Sequence, residues 1–422
     1  MDNFFIQGGF PLKGEVRISG SKNAALPILC SSLLADSPCT YTNVPKLLDI
    51  TTIGRVLETL GLKVARTAED TVEIDPSRVS SFEAPYDLVK SMRASILVLG
   101  PLLAKYRKAK VSLPGGCAIG VRPVDLHLKA LTKMGADIKV SHGYVMAHIK
   151  GRLKGATIVF DNITVGGTEN ILMAAALADG VTVIQGAARE PEVVDLANAL
   201  IAMGARIEGV GESTITVEGV KSLSGVKYQV IPDRIETGTF LVAGAITKGD
   251  ITLRGHRTDH VIAVMEKLAE MGVSFEKLPD GGLRVDGSGE LKPVQVETVP
   301  YPGFPTDMQA QIMALASVAK GTSRITENIF ENRFMHVPEL MRMGANLEEV
   351  GNTVIVQGID QFEGANVMAT DLRASASLVL AALNAKGYSE IRRIYHLDRG
   401  YESLDKKLIE LGAIVKREKG GL

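Results

Sequence analysis

The chain is 422 residues long, enough for about two or three domains of ordinary size. With 45% hydrophobic and 23% charged residues and a formal net charge of −1, it has the balance of a globular protein and lacks the basic surplus of a nucleic-acid binder. Cys30, Cys39 and Cys117 are too few, and odd in number, for a disulfide framework, so a reducing cytoplasm fits; the start, MDNFFIQGGF, lacks signal-peptide character, and the longest apolar run, near 94–104, is too short to span a membrane.

Taken in chain order, the predicted elements repeat. An apolar helix closing on a Leu/Met-Gly-small-x-hydrophobic signature occurs six times: LETLGLKV to Val64, LTKMGADI to Ile138, LIAMGARI to Ile207, LAEMGVSF to Phe275, LMRMGANL to Leu347 and LIELGAIV to Val415. The glycines, Gly61, Gly135, Gly204, Gly272, Gly344 and Gly412, recur about every 70 residues, each where a helix C′ position favours left-handed backbone. An alternating segment that reads as a strand follows, as in STITVEG and NTVIVQG.

A second helix precedes this one in every unit. The starts are SKNAALPIL, SMRASILVL, GTENILMAA, IETGTFLVA, PTDMQAQIM and DLRASASLV, each with Ser, Thr, Asp or Glu at or near the first turn. Three starts also carry a cation: Lys22, Arg93 and Arg373. A cation there opposes the helix dipole, so a bound anion is the expected reason for it. A strand and turn join the two helices, as in GVTVIQGA and GDITLRGH, and the unit reads β-α-β-α-β-β. Six copies make two groups of three with a break near Pro232, which predicts an α/β architecture of two similar lobes with a cleft between them.

Residues 113–126, LPGGCAIGVRPVDL, stand out within the second unit. Cys117 sits among Gly115, Gly116 and Gly120, with Arg122 and Asp125 close behind. The arginine can bind an anionic substrate and can lower the thiol pKa from its free value of about 8.5. On these residues alone two readings are open: a reactive thiol on a glycine-rich loop, or a small core hydrophobe.

Long motifs stand in order along the chain: GSKNAALPIL (20–29), LVKSMRAS (88–95), LPGGCAIGVRPVDLHL (113–128), AAREPEVVDLAN (187–198), PDRIETGTFLVA (232–243), FPTDMQAQ (304–311), ENRFMHVPEL (331–340), ATDLRASASLVL (369–380) and YHLDRGYE (395–402). Together they closely resemble the UDP-N-acetylglucosamine 1-carboxyvinyltransferases, enolpyruvyl transferases of the EPSP synthase superfamily. The resemblance implies an inside-out α/β barrel in each lobe, built from the six repeats. It implies an N-terminal lobe of residues 22–230 carrying the Cys117 loop, a C-terminal lobe of 1–21 plus 231–422, and an active site in the cleft between them.

The implied reaction moves the enolpyruvyl group of phosphoenolpyruvate to the 3-hydroxyl of UDP-N-acetylglucosamine and releases phosphate, the first committed step of peptidoglycan biosynthesis. No metal or organic cofactor is expected. By resemblance, Cys117 is the acid, able to capture phosphoenolpyruvate covalently and to be alkylated by fosfomycin. Asp307 is the base or the group that orients the hydroxyl. Lys22, with Asn23 beside it, Arg122 and Arg399 bind the phosphate and carboxylate, Arg93 and Arg373 line the same cleft, and Asp371 orients nearby cations. Arg122, Pro123, Val124, Asp125 and Leu126 resemble the uridine-binding run, and Thr164, Val165, Gly166 and Ile329 resemble further contacts to the sugar nucleotide.

The chain departs from some relatives at two positions. Leu48 and Asn162 stand where lysine is found, and each removes a positive charge. Two other functions therefore stay open: an enolpyruvyl transferase with another acceptor, against which RPVDL argues, and a weakly active paralogue that binds the sugar nucleotide as a sensor. His256 and His260 have i, i+4 spacing but no evident third ligand, so a metal site is not expected. Cys30, in PILCSSLLA, reads as core, and Cys39 as strand or turn packing.

Overall fold

The computed structural model describes residues 2–90, 92–113 and 124–419. These fall into two compact units, one of residues 20–113 with 124–231 and one of 2–19 with 232–419. Each has its own hydrophobic core, the first running from Ala24 to Val230, the second from Phe4 to Val415.

The repeat read from the sequence is the repeat of the fold. Residues 157–218 show it: strand Thr157–Val159, helix Val165–Ala176, strand Val181–Gln185, helix Pro191–Ala202, then strands Arg206–Glu208 and Thr214–Glu218. The first two strands are parallel, with Thr157 opposite Val183, and the last two complete the sheet antiparallel. The described residues hold six such four-stranded sheets, so the architecture is mixed α/β with several small sheets.

Three of the sheets are completed by distant segments, one of them by Lys13–Arg17, which runs parallel to Asp250–Arg254. Lys227–Gln229 runs parallel to Cys39–Thr42 and supplies the first strand of the first unit. Asp2–Gln7 lies antiparallel between Tyr388–Arg392 and Ile414–Lys419 and supplies the fourth strand of the last unit.

All six signature glycines take positive φ, from 88° at Gly412 to 107° at Gly204. After helix Pro191–Ala202 the Gly204 N–H bonds the Ile201 carbonyl at 2.9 Å and the Ala205 N–H bonds the Leu200 carbonyl at 2.9 Å. This double bond pattern satisfies the last carbonyls of the helix, and the other five helices repeat it. The residue two before each helix end is always leucine, Leu57, Leu131, Leu200, Leu268, Leu340 or Leu408, and all are buried.

The other helix of each unit is a core helix. Ile235–Ile246 and Gln309–Ala316 are buried on every side, as helices that are apolar all round must be. Helices Arg234–Ile246, Gln309–Ala316 and Ser375–Asn384 pack on one another. The segment opened by SMRASILVL is not the single helix expected. It passes from a 3₁₀ stretch, Arg93–Val98, through Leu99–Pro101 into a π turn, Leu102–Tyr106. Gly100 explains the break: a Cβ there would stand 2.4 Å from the Asn170 carbonyl oxygen, and Pro101 brings no N–H to continue the ladder.

Candidate active site

In the unit of residues 20–231, the candidate residues gather at helix starts. Ser21 caps helix Lys22–Ser31 by accepting from Ala24 N–H, and Lys22 is the first helical residue. Its ammonium lies 3.1 Å from the Asp49 carboxylate in the first turn of helix Leu48–Thr59, and both side chains are buried. The anion expected beside Lys22 is thus first of all an internal one. Asn23 follows, half-buried.

Arg93 opens the 3₁₀ stretch that packs on the Lys22 helix. Val124 stands at the start of helix Asp125–Lys133 without a side-chain cap, and Val124 and Leu126 both pack against the core. Asp125 pairs with Lys129 at 3.1 Å. Thr164 caps helix Val165–Ala176 by accepting from Gly167 N–H at 3.1 Å. Gly166 lies against His127, whose ring carbon would sit 3.4 Å from a Cβ at that glycine. His127 is buried and meets Asn170 Nδ2 through Nδ1 at 3.0 Å. Burial and the Arg93 charge pull its pKa down to about 4, against the pull of Asp125. The structure therefore brings Arg93, Asp125 and the Thr164–Gly166 turn around one buried neutral imidazole. Sequence reasoning passed over His127, which closes the quoted LPGGCAIGVRPVDLHL but for its last residue. Cys117, Arg122 and Pro123 lie outside the described residues.

In the unit of residues 232–419, the charges form one connected set. Arg333 donates to Asp307 at 2.6 Å and to Thr306 Oγ1 at 2.8 Å. Arg373 Nη2 donates to Asp233 at 3.0 Å, Nη1 to the Gly400 carbonyl at 2.9 Å, and Nε lies 3.8 Å from Asp307 Oδ2. The Arg373 guanidinium also sits 5.0 Å from the Tyr401 ring centroid. The cation at Arg373, which stands two residues before helix Ser375–Asn384 and not in its first turn, is therefore compensated by Asp233 and Asp307 from its own unit. Asp371 Oδ1 accepts from the Arg373 and Ala374 N–H groups at 2.8 and 2.7 Å, so it fixes the start of the Arg373 turn.

Burial alone would raise the Asp307 pKa. The charges of Arg333, Arg373 and Arg234, with the Arg333 hydrogen bond, overcome that and hold the carboxyl well below the usual carboxylate range. Arg399 ends the 3₁₀ turn Ile394–Arg399, half-buried, next to the Gly400 carbonyl that Arg373 holds. Ile329 is half-buried, and its N–H donates to Glu327 at 2.8 Å. Leu48 and Asn162 are exposed.

Arg333, Asp233 and the buried His336 went unassigned at the sequence level. They sit inside ENRFMHVPEL and PDRIETGTFLVA, so the signal was present as motif without a partner to give it a role. His336 faces Asp371 and Arg333, and burial takes its pKa down to about 4 despite the pull of Asp371. Cys30 and Cys39 are buried and free, Cys30 in the Lys22 helix and Cys39 in a strand.

A family profile described as EPSP synthase (3-phosphoshikimate 1-carboxyvinyltransferase) matches residues 6–408. The chain is 56% identical, over 100% of both chains, to the UDP-N-acetylglucosamine 1-carboxyvinyltransferase of Anaeromyxobacter dehalogenans strain 2CP-1. It is 58% identical to the protein of the same name from Shewanella piezotolerans strain WP3, over 99% of this chain and 100% of that one. Among solved structures, the enolpyruvyl transferase NikO from Streptomyces tendae superposes with a TM-score of 0.89 at 26% identity, covering 100% of this chain and 99% of that one. An EPSP synthase from Acinetobacter baumannii shares the fold, with a TM-score of 0.78 at 20% identity over 99% of this chain and 100% of that one.

Proposed function

The chain belongs to the EPSP synthase family of enolpyruvyl transferases, and from that premise we propose that it is the transferase acting on phosphoenolpyruvate and UDP-N-acetylglucosamine. The observation that carries this is the end-to-end match, at 56% identity over the whole of both chains, to a relative bearing that substrate in its name. The product is the 3-O-enolpyruvyl sugar nucleotide, and the step commits its sugar to peptidoglycan.

The chemistry adds the sugar 3-hydroxyl oxygen to C2 of phosphoenolpyruvate while C3 takes a proton. Loss of a C3 proton then expels phosphate from C2 and restores the double bond. Cys117 is the proton donor toward C3. Lys22, Arg122 and Arg399 hold the phosphate and carboxylate, with Arg93 beside them, through charge-assisted bonds that gain strength where water is excluded. Val124, Asp125, Leu126 and Pro123 read the uridine, and Thr164, Val165, Gly166 and Ile329 flank the sugar nucleotide. Asp307, held ionised by Arg333 and Arg373, accepts the hydrogen bond of the 3-hydroxyl and aligns it for attack. A carboxylate so stabilised is a weak base, so it takes the hydroxyl proton only as the C2–O bond forms and that proton turns strongly acidic; in the elimination the C3 proton returns to the Cys117 sulfur and Asp307 passes its proton to the departing phosphate.

We read the buried helical segments of each unit, with their sheets, as an inside-out barrel. The unpaired thiols Cys30 and Cys39 support a reducing compartment, and the reaction is assigned to the cytoplasm. The test is release of inorganic phosphate from the two named substrates by the purified protein. Release that depends on both substrates supports the reading, and release only with a different acceptor overturns it.

A further inference from the structure

The polar chain that ends on Asp307 begins at Glu327. This glutamate is 3% exposed and accepts four hydrogen bonds. Its Oε1 takes Thr298 Oγ1 at 2.9 Å, Ile329 N–H at 2.8 Å and Phe330 N–H at 3.1 Å. Its Oε2 takes Thr306 Oγ1 at 2.8 Å. A threonine hydroxyl has one proton, and here Glu327 receives it, so a lone pair of Thr306 is left for Arg333 Nη1 at 2.8 Å. The other arm of the Arg333 fork reaches Asp307 at 2.6 Å. Phe330 touches the same guanidinium from another side, its ring centroid 5.1 Å from Arg333 Cζ.

A guanidinium can only donate, so Thr306 can hold Arg333 only as an acceptor. Because Glu327 Oε2 takes the Thr306 proton, that proton points away from the guanidinium and the lone pairs are left to face Arg333. One buried group thus fixes both the Ile329–Phe330 backbone and the fork that holds Asp307. We propose that Glu327 is a positioning residue that couples the nucleotide contact at Ile329 to the alignment of Asp307, through Thr306 and Arg333. The inference rests on the reaction proposed above.

Thr306→Val removes the hydroxyl at constant shape, and Glu327→Gln keeps an oxygen for the two backbone N–H groups while turning its amide toward Thr306, reversing the hydroxyl. Each lowers kcat by about tenfold or more while KM for the sugar nucleotide stays within about twofold. Thr306→Ser restores kcat. Glu327→Ala, which also frees the Ile329 segment, raises that KM as well. The double variant Thr306→Val with Glu327→Gln is no slower than either single variant, as expected of one pathway. Wild-type kcat in both single variants overturns the coupling, and so does a Thr306→Ser enzyme as slow as Thr306→Val, which marks a purely structural role. If Thr306→Val does not fold, Glu327→Gln and Thr306→Ser carry the same test. A wild-type protein that releases no phosphate from the two substrates overturns the proposed reaction itself and this inference with it, an outcome distinct from active but insensitive variants.

Discussion

Asp307 accepts a 2.6 Å hydrogen bond from Arg333, and Arg333 is held in turn by Thr306 at 2.8 Å, so the one carboxylate assigned to the acceptor hydroxyl is locked in its ionised form. This fixes how Asp307 contributes to stability. Its folded pKa lies below its unfolded value of about 3.9. The contribution is therefore complete above that value and is lost only as pH falls through and below it. Asp307→Asn breaks a largely buried pair and leaves Arg333 and Arg373 undercompensated, at a cost of roughly 3–5 kcal/mol. Chemical denaturation of both proteins should show a gap of that order at pH 7 that persists undiminished to pH 5. A gap that shrinks within that interval would show that the carboxylate is not held as described.

The buried imidazoles act in a different window. His127 and His336 are both pulled down to about 4 from an ordinary value of 6.5. A depressed histidine stays neutral in the native state while the unfolded chain takes the proton. Stability is then full above about 6.5 and falls as pH drops toward about 4, by up to ~1.4 kcal/mol per pH unit for each histidine. His127→Gln and His336→Gln should each flatten this decline, measured as unfolding free energy at intervals from pH 7 to pH 4.5. Variants whose profiles run parallel to the wild type would sink the assignment.

The features legible in the sequence were local ones. The six C′ glycines announce themselves because the left-handed turn and the leucine two residues before the helix end are neighbours in the chain. The strand contributed by Asp2–Gln7 to a sheet whose other members begin at Asn366 is a pairing across nearly the whole sequence, and no local pattern encodes it. The same distinction runs through the site. Lys22, Arg373 and Asp307 were visible as residues of unusual motifs, but their counter-ions Asp49, Asp233 and Arg333 come from other elements and were chosen by packing. The motif around Arg373 suggests a cation that awaits a substrate anion, whereas Arg373 is already compensated within the protein by Asp233. The interrupted helix after Arg93 was missed for a related reason: the contact of Gly100 with Asn170 exists only in the folded core.

Loss of the anion ligands should separate binding from folding. Lys22→Ala removes the buried partner of Asp49, so it lowers both the thermal midpoint and the use of phosphoenolpyruvate. Arg399→Ala, at a half-buried position, should leave the midpoint nearer the wild type. In both, kcat/KM for phosphoenolpyruvate falls by about ten- to a hundredfold, the worth of one charge-assisted bond of roughly 1.5–3 kcal/mol. Initial rates at subsaturating phosphoenolpyruvate, read beside melting curves, decide it. Near-normal rates in both variants would remove these residues from the site.

The sharpest prediction concerns the three thiols. Burial raises the pKa of Cys30, with a further push from Glu169, and burial likewise raises that of Cys39. Neither is a nucleophile at neutral pH, since the thiolate is the reactive form. Cys117, close in sequence to Arg122 and proposed to act with Lys22, is the thiol expected to be activated. Its thiol should be readily alkylated in the free protein, and bound phosphoenolpyruvate, by offsetting the cations, should return the proton it needs as an acid. Fosfomycin, an epoxide that resembles phosphoenolpyruvate, should therefore add once, at Cys117. Cys117→Asp keeps a titratable acid without a soft nucleophile, so it should retain measurable turnover and resist the epoxide. Cys117→Ser should lose most activity, because a hydroxyl is a far weaker acid. Intact-protein mass after fosfomycin treatment, followed by peptide mapping, reads the outcome directly. An adduct on Cys30 or Cys39 with Cys117 unmodified, or full activity in the serine variant, would falsify the assignment.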